Sequence, residues 1–298
     1  MVNISSVPNF WVSKEEHLER QRFHLAAGRA LRKNIQAFDF NSLENFPQCT
    51  QIPDLIVSFS NPKWANRQFG AVNTVQKAGC LPFVAKLFLD ELYHDNIDFD
   101  SILNEVVTKN YRLWKLAKRK KTLSMASPTV EDLKKAFPDD KEIQSCDTLE
   151  EIYSVAGKPV GIGGSMFFMD NLIISNCRIF DIVLDTYQDT RFHNVEDILS
   201  SLENGCSVPV RVNNSVYLND ASAKGGHYIT LYRIEDGMAI VMDSCIDENY
   251  NSGIRKLPVK QLFDAMIADP DKICAWDTSC IQLTNCIIKD NKKIISKL

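Results

Sequence analysis

Of the nine cysteines, at 49, 80, 146, 177, 206, 245, 274, 280 and 286, one stands where a thiol could act as a nucleophile. Cys80 opens the stretch Gly79-Cys80-Leu81-Pro82-Phe83-Val84-Ala85-Lys86-Leu87-Phe88-Leu89. Phe83, Val84, Leu87 and Phe88 follow the i, i+1, i+4, i+5 spacing of a core-facing helix. Gly79 lets the chain turn in tightly, and Pro82 suits a first helical turn, where its missing N–H costs nothing. A thiol at that tip lies at the positive end of the helix dipole, which favours the thiolate. A free cysteine is otherwise a small buried hydrophobe, so chemistry at Cys80 requires a base.

The pattern changes to β after position 208 and supplies one. Strands are predicted over 208–212, 226–233 and 238–243, so His227 opens one strand and Asp243 closes the next. A carboxylate beside an imidazole fixes its tautomer and steadies the cation formed when the thiol gives up its proton. A three-residue loop at Glu235-Asp236-Gly237 pairs Ile229 with Asp243 and leaves His227 one diagonal away on the same face. A five-residue loop sets His227 opposite Asp243, whereas a two-residue Asp-Gly turn sends the two to opposite faces. The triad therefore calls for an odd-length loop, and Gly225-Gly226 is read as leaving the ring open to approach. Taken singly, His227 is also a half-buried strand histidine and Asp243 a strand-end cap.

Trp64-Ala65, Phe69-Gly70, Thr74, Gly79-Cys80 and Pro82, followed by Gly226-His227-Tyr228-Ile229 and Asp243, resemble the papain-like cysteine peptidases related to the bacteriocin-processing (double-glycine leader) enzymes. Asn204-Gly205 with Val208-Pro209-Val210-Arg211-Val212 is similar to the strand that precedes the histidine there. The resemblance covers about 60–90 and 200–245. It implies Cys80 as nucleophile, His227 as general base and Asp243 as the orienting residue. Two departures stand out: Leu81 replaces the glycine that usually follows the cysteine, and Thr74 stands where papain-type enzymes carry a glutamine. Gln76 is the nearest amide and the candidate oxyanion donor, beside the Cys80 backbone N–H.

The expected fold is α+β, with an N-terminal helical part, the nucleophile helix packed on a C-terminal antiparallel sheet, and no internal repeat. The expected organisation is a helical extension over 1–55 and a catalytic domain over 56–298, with a mostly helical insertion at about 99–200. Along the chain the spacing predicts helices over 15–33, 99–121, 195–202 and 259–268, short helices opening at 128 and 148, and strands over 55–57, 180–184 and 254–257. Residues 41–53 read as loop, and 160–165 as a glycine-rich turn without phosphate-loop order. Six basic residues in 112–121 read as a solvated helix end rather than a phosphate surface.

Composition narrows the class. A net charge of −4 and a pI near 5.8 argue against a nucleic-acid footprint. No stretch has the length of a membrane span, the start lacks a signal-peptide pattern, and scattered cysteines without C-x-x-C suit reduced thiols, so a cytoplasmic setting is expected. Cys274, Cys280 and Cys286 are evenly spaced, but their gaps do not suit a common zinc site. The leading expectation is a thiol peptidase acting on a peptide or protein substrate with no metal or organic cofactor. Its alternatives are acyl transfer by the same triad, a non-catalytic binding protein that keeps the fold, and a zinc site on Cys80, His227 and Asp243.

Overall fold

Two hydrophobic cores enclose one antiparallel sheet. The computed structural model describes residues 14–46, 68–69, 73–74, 79–93, 129–149, 151–152, 167–179, 182–184, 187–244 and 253–282. In chain order these form α1 (Lys14–Ala37), β1 (Gln68–Phe69), β2 (Asn73–Thr74), α2 (Cys80–Tyr93), α3 (Val130–Ala136), α4 (Lys141–Gln144), α5 (Phe167–Ile179) and α6 (Val195–Glu203). There follow β3 (Val208–Asn213), α7 (Asn214–Tyr217), β4 (Gly226–Glu235), β5 (Met238–Met242), β6 (Ile254–Pro258) and α8 (Val259–Ile267). The architecture is mixed α+β, with β3-β4-β5-β6 a four-stranded antiparallel sheet and β1-β2 a separate short pair. Gln76 and the elements expected over 55–57, 99–121 and 160–165 lie outside the described residues.

The central strands are apolar on both sides because both sides are covered. Tyr228, Tyr232 and Met242 pack with α2 and with Leu172, Ile173 and Cys177 of α5. Val210, Val212, Ile229, Leu231, Ile234 and Val241 pack with Leu31 and Ile35 of α1, with α6, and with Leu262 and Phe263 of α8. Helix α2 is buried on every side from Leu81 to Leu89. Even Lys86 is 1 % exposed, paired with Asp90 one turn on. Residues 274–276 run along the free edge of β3: Arg211 N–H donates to Cys274 O at 3.1 Å and Trp276 N–H to Pro209 O at 3.0 Å.

A buried ion pair ties distant segments together. Asp170 accepts from Thr190 Oγ1 (3.0 Å), Arg191 Nε and Nη2 (2.8 and 2.7 Å) and Trp276 Nε1 (3.0 Å). Arg191 Nη1 lies 2.9 Å from His24 Nδ1. Burial, followed by the Arg191 charge, pushes His24 down to about 4, so the ring is neutral at pH 7 and Nδ1 accepts.

Two segments differ from the sequence expectation. Residues 182–184 do not form a strand: Ile182 N–H donates to Cys177 O at 2.7 Å, a turn off the end of α5, and Val183 is 85 % exposed. Of the loop expected over 41–53, residues 41–45 belong instead to a 3-10 turn, Phe40–Asn45. Asp39 Oδ1 accepts from Asn41 N–H at 3.1 Å and caps it. Helices α4 and α7 are not predicted by the sequence, and α5 is covered only by the expectation of a mostly helical insertion at about 99–200. A single turn is too short to carry periodicity.

Candidate active site

Cys80 is the first residue of α2. Phe83 N–H closes the first turn on Gly79 O at 3.1 Å, so Gly79 occupies the cap position. Leu81 turns into the core at 2 % exposure while Cys80 as a residue is half-buried. The thiol and the His227 ring lie close enough to act on one another's charge. The ring's Nε2 lies 2.6 Å from Asp243 Oδ1, leaving Nδ1 as the nitrogen available to the thiol. Residues 80, 227 and 243, far apart in the chain, thus come together around one imidazole ring.

The hairpin achieves this by a route the sequence reading missed. Glu235 pairs with Met238, so the loop is the two-residue Asp236-Gly237 turn, with φ of +51° and +70° at its two positions. These are the left-handed angles of the tight hairpin turn, and Gly237 takes its own at no steric cost. An unbroken ladder from that turn would put His227 and Asp243 on opposite faces. The register instead shifts between Leu231 and Arg233, where Tyr232 is an extra residue: Leu231 pairs with Val241 and Thr230 with Met242. Continued by one step, that ladder sets Asp243 across from Ile229, on the same face as His227. A bulge, not an odd loop, sets the parity.

The reading of Gly226 also changes. A Cβ there would lie 2.1 Å from Arg211 Nη2, so the glycine makes room for a guanidinium that pairs with Asp269 Oδ2 at 2.9 Å, not for an incoming ligand.

The electrostatics of the two partners agree in direction. Burial alone would raise the Cys80 thiol. The hydrogen bond and charge of His227, joined by hydrogen bonds from the Tyr228 and Leu81 backbone, outweigh burial and hold the thiol below its ordinary value. Burial would likewise lower His227, but the charge and hydrogen bond of Asp243, then those of Cys80, bring it well above its ordinary value. A lowered thiol beside a raised imidazole favours passage of the proton from sulfur to ring.

No family model, curated protein or solved structure matches the chain. The residues of the site therefore carry the functional argument.

One neighbour of the site was not foreseen. Tyr217, on the single turn α7, donates its hydroxyl to Asp243 Oδ2 at 2.8 Å and is fully buried. Arg255 lies over its ring, Cζ 4.6 Å from the centroid. The Asn213 side chain, accepting from Ser215 N–H at 3.0 Å, caps the turn and was the only local sign of it in the sequence. Gln76 lies outside the described residues. Among the described residues no three His, Cys, Asp or Glu side chains are grouped to hold a metal ion. No helix is long and apolar enough to cross a membrane, again among the described residues.

Proposed function

We propose that the chain is a cysteine peptidase of papain-like arrangement, with Cys80 as nucleophile, His227 as general base and acid, and Asp243 as the orienting carboxylate. The observation that supports this best is the His227 ring, 2.6 Å from Asp243 Oδ1 and close enough to the Cys80 thiol to lower it. The Cys80 thiolate attacks the carbonyl carbon of a peptide or isopeptide bond, forming a C–S bond and a tetrahedral oxyanion. His227 passes its proton to the leaving amine as the C–N bond breaks. Water, deprotonated by the neutral imidazole, then releases the carboxylate and restores the thiol. The helix N-terminus at Cys80 offers positive potential to the oxyanion, and Gln76 is the side-chain donor we propose. A protein or peptide substrate and a reducing, cytoplasmic setting belong to the same reading. Acyl transfer uses the same triad and differs in the acceptor, amine in place of water.

The test is alkylation by iodoacetamide at mildly acidic pH. A thiolate–imidazolium pair reacts there, whereas an isolated thiol is protonated and slow. Cys80 should label well ahead of the other eight thiols; labelling no faster than theirs would end the proposal.

A further inference from the structure

Resting on the triad reading, we propose that Tyr217 is a positioning residue of the reaction: its buried hydroxyl fixes the Asp243 carboxylate so that Oδ1 faces His227. The carboxylate has two oxygens and each has its own donor. Oδ1 takes Nε2 of the imidazole at 2.6 Å and Oδ2 takes the Tyr217 hydroxyl at 2.8 Å. With Oδ2 held, the carboxylate keeps Oδ1 on the ring, and these donors spread its negative charge in a buried site.

Three contacts keep the tyrosine itself in place. Gln261 Nε2 donates to Val216 O (3.2 Å) and Tyr217 O (3.1 Å), fixing α7 against α8. The Arg255 guanidinium covers the ring from β6. The Tyr217 and His227 ring centroids are 6.2 Å apart, tilted at 47°, so tyrosine and imidazole also pack together. Burial, then the charge and hydrogen bond of Asp243, hold the phenol well above its ordinary value. It is therefore a donor throughout the range in which the triad would work. The groups that face His227 are Cys80 from α2, Asp243 from the end of β5 and Tyr217 from α7, with Arg255 behind the tyrosine.

The test is Tyr217→Phe, which keeps the ring and removes only the hydroxyl. Cys80 alkylation is followed against pH in wild type, Y217F, D243A and the double variant. In Y217F the acid limb of the Cys80 profile should move to higher pH and kcat should fall by roughly tenfold with KM little changed. Because Tyr217 acts through Asp243, Y217F should add nothing to D243A. A Y217F profile superimposable on wild type, effects that simply add in the double variant, or a Y217F chain that no longer folds would each overturn the role. If wild-type Cys80 shows no reactivity at acid pH, the triad reading itself fails. A reactive wild type with an unmoved Y217F removes only the tyrosine.

Discussion

At the residue scale, the site rests on one ring held from two sides. Replacing Cys80 by Ala removes a single sulfur from a half-buried residue on a helix otherwise locked into the core. The variant should fold as wild type, lose activity by about 10⁴-fold or more, and retain bound substrate, which mass spectrometry of captured peptides would detect. Asp243→Ala should cost less, on the order of 10²–10⁴-fold, since the thiol and imidazole remain but lose their alignment. Cys80 was legible in the sequence because glycine, proline and an apolar helix surround it. His227 and Asp243 were legible because each ends a strand. Tyr217 was not: its partner lies 26 residues away, and nothing local marks a hydroxyl that serves another segment's carboxylate.

At the element scale, most limits of the four sheet strands followed from alternation and turn residues, whereas the register did not. Counting residues from the turn demands an unbroken ladder, and β4 breaks its ladder at Tyr232 because that side chain packs beside α2 while Leu231 and Ile234 stay in the other core. Strand β4 thus carries one residue more than its pairing with β5 uses. Deleting Arg233 should close the bulge, keep Tyr232 in its core, and leave Ile229 across from Asp243, so fast acid-pH alkylation of Cys80 persists. Inserting one alanine after Arg233 should separate His227 from Asp243 and abolish it. A deletion that silenced Cys80, with an insertion that spared it, would contradict this account of the hairpin.

At the scale of the whole molecule, two buried titrations act against each other. Burial raises Glu91 to about 7 from 4.5, against hydrogen bonds from Ser207 that lower it. The folded state therefore holds a proton that the unfolded chain has released, and stability falls as pH rises from 4.5 towards 7. His24 is lowered to about 4 from 6.5. Its stabilisation is complete above 6.5 and is lost as pH falls towards 4. Each slope amounts to ~1.4 kcal/mol per pH unit, so between 4.5 and 6.5 they offset. Glu91→Gln should unmask the histidine, and denaturant unfolding should show stability rising by about 2–3 kcal/mol across that interval relative to wild type. An unchanged profile would mean that Glu91 is ionised in the fold.

The knot at Asp170 has a consequence for how the chain assembles. Its donors come from positions 190, 191 and 276, and Arg191 leans in turn on His24 in α1. During synthesis α1 emerges early, yet the segment that completes its surroundings is translated some 250 residues later. Until then a carboxylate and a guanidinium destined for the interior have water as their main company. Folding of this topology waits on its most distant contacts and is correspondingly slow, so a nascent chain halted short of Trp276 would hold Cys80 and His227 without the frame that closes around them.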